Sequence, residues 1–218
     1  MQKKILFIGF VIIIASKLQL NAQNVKDSQV EQIASEVQQD TTYRKWYIGS
    51  SLLMLGNFDK TNNPEYVQVN VGYRITPKDV VSFEFKRSIY SFPLGIPFGS
   101  SAFDKAGEGY PGHARILAPT LGYQRFWWKG IFTSVYALNA FEKYVDKNKK
   151  KIGNGYTLYL NFHLGYQLKF FKNRFFFEPA IGCSFWPVRS NVPDSFKEID
   201  KKWPNYFIQP GLHFGYNF

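Results

Sequence analysis

From Arg44 onward, apolar and polar residues alternate along the chain with a period of two, the signature of strands that carry one greasy face and one wet face. The clearest run sets Val67, Val69, Val71, Tyr73 and Ile75 against Gln68, Asn70, Gly72 and Arg74. Seven more segments read the same way. They run from Trp46 to Met54, Val81 to Ile89, Leu117 to Trp127, Ile131 to Tyr144, Leu158 to Phe170, Phe175 to Trp186 and Tyr206 to Phe218. The segment from Ile131 to Tyr144 has apolar groups on both faces, so its pattern alone does not say which face is which. In the last segment, Tyr206, Ile208, Pro210, Leu212, Phe214, Tyr216 and Phe218 share a strongly aromatic face. Its opposite face, Phe207, Gln209, Gly211, His213, Gly215 and Asn217, is small or polar and carries no fixed charge.

The connections alternate in length. Those at 76–79, 128–130 and 172–174 are three or four residues long, whereas 57–64, 91–113, 145–153 and 188–204 are longer. An even strand count with alternating short and long connections is the plan of a transmembrane β-barrel, with lipid outside and a polar lumen inside. A soluble barrel of the lipocalin kind would put its charges outside and an apolar pocket inside. Here Arg74, Glu84, Lys86, Lys169 and Glu178 all fall on the face opposite the greasy one. The expected fold is therefore all-β: an eight-stranded antiparallel up-and-down transmembrane barrel over residues 44–218, with short periplasmic turns and longer extracellular loops. Those five charged residues are expected to form an interior ion-pair network, because Arg or Lys in mid-membrane on the lipid face costs about 2–4 kcal/mol. The inward glycines are expected to make room for Tyr47, Tyr159, Phe207 and Trp186, filling a lumen just wide enough for side chains. Pro119, Pro179 and Pro210 predict bulges or unpaired spots, since proline cannot donate to a ladder.

The strand pattern, the count of eight and the aromatic Phe218 resemble the small eight-stranded Gram-negative outer-membrane β-barrel proteins, the class of the OmpA transmembrane domain, OmpX and OmpW. The resemblance covers residues 44–218 and includes no catalytic motif. It implies residence in the cell outer membrane, in contact with outer-membrane lipid and lipopolysaccharide. It also implies delivery by the barrel-assembly machinery, with Phe214, Tyr216 and Phe218 as the assembly signal. Members of the class serve as structural anchors, adhesins, conduits for hydrophobic compounds and lipid enzymes, so the fold leaves the role open.

Export agrees with this location. Residues 1–22 read as a signal peptide, with a positive start at Lys3 and Lys4, an apolar stretch from Ile5 to Ala15 and a small Ala22 before the cut. Residues 23–43 read as a polar periplasmic lead-in, with Val30, Ile33, Ala34 and Val37 at helical spacing. Aromatic residues make up 19% of the chain, as interfacial girdles require, yet mean hydropathy is only −0.26 because alternation dilutes the greasy face. Removing Lys3, Lys4 and Lys17 takes the formal charge from +11 to +8. The basic residues cluster in connections rather than along one helix, which argues for lipid phosphates and against nucleic acid as their counterpart. Lys143, Lys147, Lys149, Lys150 and Lys151, with Glu142 and Asp146 as counterweights, are the candidate lipopolysaccharide contacts.

Chemistry for catalysis is sparse. Cys183 is the single cysteine, which rules out an intramolecular disulfide framework, and His163 and His213 have lumen parity without the spacing of a metal site. No cofactor is expected. His113 with Ser100, Ser101, Asp104 or Glu108 is the one grouping that could support acyl transfer. The expected function is non-enzymatic: an integral outer-membrane protein acting through its extracellular loops in envelope integrity, adhesion or binding of an extracellular protein or ligand. The alternatives are a lipid A-modifying acyl hydrolase or transferase and a narrow conduit for small hydrophobic compounds.

Overall fold

The computed structural model describes residues 44–58, 64–90 and 110–218. The expected signal peptide, the lead-in at 23–43 and residues Ser100, Ser101, Asp104 and Glu108 lie outside the described residues. The described strands are β1 (Trp46–Ser51), β2 (Val67–Arg74), β3 (Asp79–Tyr90), β4 (Gly112–Trp128), β5 (Ile131–Asp146), β6 (Lys151–Tyr166), β7 (Leu168–Phe170), β8 (Phe175–Ser190) and β9 (Tyr206–Asn217). Strand β7 continues β6 after a break at Gln167, and both pair with β8. With β6 and β7 taken as one stave, each stave pairs antiparallel with the next, and β9 closes on β1 through Tyr47↔Asn217 to Ser51↔His213. The result is a closed ring of eight staves. Closure pairs the two outer strands of the sheet over Tyr47–Ser51 and His213–Asn217, where an open edge would otherwise face lipid.

Alternation sets the facing on every stave. Ile48, Val69, Val71, Phe83, Leu121, Phe162, Ile181 and Ile208 are exposed on the outer wall, whereas Gln68, Glu84, Thr120, Gln124, Asn161, Glu178 and Ser184 are buried inside. This is the inverse of a soluble barrel. Trp46, Tyr73, Trp127, Trp128, Tyr166, Phe170, Phe175 and Phe218 gather at the end where the tight turns lie, forming a girdle. By the plan of such barrels, with short periplasmic turns and longer outer loops, that is the periplasmic end. Its turns are held locally: Thr76 Oγ1 accepts the amides of Lys78 (3.1 Å) and Asp79 (3.0 Å). Lys129 (φ 43°) and Gly130 (φ 93°) form a two-residue turn in which both residues take the left-handed conformation that matches hairpin twist.

Three segments depart from the expected layout. The first strand ends at Ser51 rather than Met54, because Leu52–Phe58 winds into a 3-10 helix that begins where Ser51 Oγ accepts the Leu53 amide. The expected lysine-rich loop at 145–153 is a tight turn at 147–150, with β5 and β6 extending on either side of it. Asp146 Oδ1 accepts the Lys150 amide (2.8 Å) and closes that turn. The expected loop at 188–204 contains the end of β8 and a helix, α1 (Asp194–Asp200). The prolines sit at gaps in the ladder. Ala118 and Pro119 have no partner on β5, Pro179 faces the break between β6 and β7, and Pro210 lies beyond the point where β1 stops.

Inside the ring, rings of atoms lie on glycines. Tyr47 faces Gly72, Tyr136 faces Gly122, Phe132 faces Gly165, His163 faces Gly182 and Phe176 faces Gly215, each a directly opposed cross-strand pair. A Cβ at Gly72 would stand 1.8 Å from Tyr47 Cε1, and one at Gly122 would stand 2.5 Å from the Tyr136 ring. Of the four large residues expected to use glycine space, Tyr47 does so. Tyr159 and Trp186 pack instead among Ala118 and Ala140, with Phe207 against them.

Gly72→Ala should displace the Tyr47 ring and cost about 1–3 kcal/mol, the usual penalty of overpacking. Urea unfolding in lipid vesicles, followed by tryptophan fluorescence, measures it. Adding Tyr47→Leu should recover much of the loss, and an unshifted Gly72→Ala midpoint would contradict the close packing.

Candidate functional site

The lumen is layered from the periplasmic end outward. The lowest layer packs Tyr47, Val80 and Phe176 with Phe126 against them. Arg74 lies beside it, its guanidinium 5.4 Å from the Phe126 ring centre and its Nη2 3.4 Å from Asn217 Oδ1. Glu178 accepts hydrogen bonds from Gln124 Nε2 (2.9 Å) and Gln167 Nε2 (2.6 Å), so two neutral amides solvate this buried carboxylate. In the middle layer, Lys86 Nζ stands 3.0 Å from Glu84 Oε2, an ion pair without the alignment of a hydrogen bond. Lys86 also lies 5.9 Å from the Tyr136 ring centre. His163 stands 3.4 Å from Ser134 Oγ and meets Tyr136 and His213 edge to face.

The five charged residues expected in the lumen therefore divide. Glu84 and Lys86 pair; Arg74 and Glu178 are buried and bonded to amide side chains. Lys169 is exposed on the short β7 at the periplasmic rim, opposite Phe176, and forms no ion pair among the described residues. The physical reason is position: parity turns Lys169 inward, but β7 ends where the lumen opens to water.

Above the middle layer lies a small cavity of about 80 Å³, with Lys86, His163 and His213 below and Tyr159 and Phe207 above. Its ceiling is aromatic. Trp186 contacts Tyr159 and Phe207 at ring-centre distances of 5.7 and 6.1 Å. Glu142, expected beside the loop lysines, points inward and is buried. It accepts hydrogen bonds from Tyr144 Oη and from Tyr159 Oη (3.1 Å). The parity that puts Ala140 and Tyr144 inside carries Glu142 with them.

The extracellular mouth is covered by α1. Phe196 is fully buried between Tyr110 and Tyr144, both edge to face, with Ala114 and Val192 completing the cluster. Arg189, at the top of β8, reaches Asp200 at the end of α1 (Nη1 to Oδ2, 2.5 Å). Burial pushes the Asp200 carboxyl above its ordinary range, and the Arg189 guanidinium draws it partly back. Burial likewise raises the Tyr110 phenol. Neither α1 nor Arg189 was singled out by sequence pattern, although Phe196 and Ile199 at helical spacing after Pro193, with Val192 just before it, are the signal that could have found this cap.

The candidate lipid contacts, Lys143, Lys147, Lys149, Lys150 and Lys151, are all exposed. They do not share one loop. Lys143 faces outward from β5, Lys151 opens β6, and the others form the hairpin tip. His113 lies near the extracellular end of β4, and its expected partners lie outside the described residues. Among the described residues, no three His, Cys, Asp or Glu side chains form a group able to hold a metal ion. Phe214, Tyr216 and Phe218 lie at the periplasmic rim, where Tyr216 and Phe218 stack at 6.4 Å and the Phe218 amide donates to the Trp46 carbonyl (3.0 Å).

The closed ring, its apolar exterior and its turn asymmetry define an integral outer-membrane β-barrel protein of eight strands. No protein-family model and no curated protein matches the chain. Among solved structures, the N-terminal β-barrel domain of OprF from Pseudomonas aeruginosa aligns with 80% of this chain and 98% of that one, at 12% identity and a TM-score of 0.40.

Lys86→Met should leave Glu84 buried and unpaired, destabilising the barrel by about 3–5 kcal/mol. Adding Glu84→Gln should return most of it. Unfolding midpoints of the two single variants and the double variant, compared as a cycle, check this; additive losses would show that the two groups do not interact.

Proposed function

We propose that this protein acts through its extracellular surface, as a non-enzymatic binding or envelope-stabilising barrel, and not as a pore. The observation that supports this reading is the filling of the lumen on both sides of its cavity. Below it are the rings seated on glycines and the Glu178 amide cluster. Above it are the Trp186 layer and the Phe196 cap. The lining of the cavity includes neither the lowest layer nor the Phe196 cap. A solute crossing the barrel would have to displace packed aromatic side chains in more than one layer.

What remains available to a partner is the outer end: the lysine-bearing hairpin, the α1 cap and the segment after it. Exposed lysines on the hairpin suit phosphate-bearing partners as point charges, with the lipopolysaccharide around the barrel as the nearest source. The connection at 91–109, outside the described residues, carries Phe92, Leu94, Ile96, Phe98 and Phe103 in sequence, more apolar than a simple linker requires and in keeping with a binding surface carried on loops.

Purified protein reconstituted in planar bilayers should show no discrete conductance steps. Reproducible single-channel openings from folded protein would contradict a filled lumen and favour the conduit reading.

A further inference from the structure

On the outer wall, β4 carries Arg115 and Arg125 ten residues apart, with Leu117, Pro119, Leu121 and Tyr123 facing out between them. At about 3.4 Å per residue this is about 34 Å along the strand, or about 26 Å across the membrane at a tilt of about 40°. That span matches the apolar band of such a barrel, so the two arginines mark its edges. They are treated differently. At the periplasmic edge, Arg125 Nη1 is held by Asp79 Oδ1 at 2.6 Å.

At the extracellular edge, Arg115 is directly opposite Lys143 in the β4–β5 ladder, and both are exposed on the lipid side. Two like charges in that arrangement repel. Neither has an ion-pair partner among the described residues. The acidic groups nearby are already committed: Glu65 pairs with Arg87 at 3.1 Å, Glu142 points into the lumen, and Asp146 caps the hairpin turn. Just below, Leu117 and Phe141, also directly opposed, present an apolar shelf to acyl chains. A bound anion at this height would turn the repulsion into two charge-assisted contacts.

We propose that Arg115 and Lys143 form a clamp on the outer wall for a phosphate of an outer-leaflet glycolipid of the lipid A type, with Leu117 and Phe141 receiving its acyl chains. Its dianionic phosphate sits at this depth and can meet both cations at once. The clamp rests on the outer-membrane reading but is independent of the filled lumen, and it differs from contact by the hairpin tip.

Native mass spectrometry of the refolded protein, after exposure to bisphosphorylated lipid A in mixed micelles, tests it. The unmodified chain should retain lipid A, and Arg115→Gln/Lys143→Gln should lose affinity by about tenfold or more. Lys129→Gln/Lys172→Gln, exposed at the opposite end of the barrel, should keep it. Lys143→Glu gives Arg115 an internal partner, so this variant should fold, melt at a higher temperature in lipid-free detergent and retain little lipid A. Dephosphorylated lipid A and phosphatidylglycerol should bind the unmodified chain as weakly as lipid A binds the double variant. Equal retention by the double variant would overturn the clamp. Equal retention of phosphatidylglycerol would overturn its assignment to a glycolipid phosphate. Loss in Lys147→Gln/Lys149→Gln with the double variant unaffected would place the contact on the hairpin instead.

Discussion

An eight-stranded barrel encloses a lumen too narrow for water to run freely and too wide to be left empty, and this constraint shapes the chain more than any other. The solution here is repeated around the ring: an aromatic or imidazole ring from one strand lies on a glycine of the next, at Tyr47 and Gly72, Tyr136 and Gly122, Phe132 and Gly165, His163 and Gly182, and Phe176 and Gly215. Glycine leaves the space, and the ring supplies contact area at little rotamer cost. The polar groups are then confined to what remains. Glu178 is solvated by two amides, Glu84 is paired with Lys86, and Glu142 is bonded by two phenols. A carboxylate that cannot reach water is tolerated because each has a dedicated partner.

The filled interior is the ground on which function is proposed to lie outside. The wall facing lipid divides into a periplasmic edge, where Arg125 is neutralised by Asp79 and surrounded by aromatic residues, and an extracellular edge, where Arg115 and Lys143 stand as an opposed pair of cations. The asymmetry follows the chemistry of the two sides. On β4, the arginine at one edge is balanced within the protein, and the one at the other edge is proposed to meet an external anion. At the mouth, α1 adds a hydrophobic stopper through Phe196 and a polar tether through Arg189 and Asp200. The outer end is therefore closed by packing as well as by charge pairing.

Much of this was legible in the alternation. Facing in a strand is a local property with period two, so residues such as Val67 to Ile75 declare their inner and outer faces without knowledge of any partner. Register is not local, and the ring-on-glycine pairs could not be assigned before it was known; Tyr159 and Trp186 turned out to use alanines. Glu142 was misplaced beside the loop because β5 has apolar groups on both faces and its parity was unresolved. The hairpin was read as a loop over 145–153 because its lysines look solvated, yet β5 runs on to Asp146 and β6 begins at Lys151. The helix α1 spans seven residues, too short for a periodic signal to stand out or for its own propensity to hold it. It exists because Phe196 has a cluster to enter.

The claim that the lumen is filled can be measured directly by the reach of a membrane-impermeant maleimide applied from the extracellular side. In a Cys183→Ser background, cysteine is placed at inward, fully buried Ala140 or at exposed Lys150 on the hairpin tip. Lys150→Cys should react completely while Ala140→Cys stays unmodified until the barrel is unfolded. Modification of Ala140→Cys in the folded barrel at a rate close to that of Lys150→Cys would mean that water and solutes pass the Phe196 cap and the Trp186 layer, and the account of a closed barrel would fail.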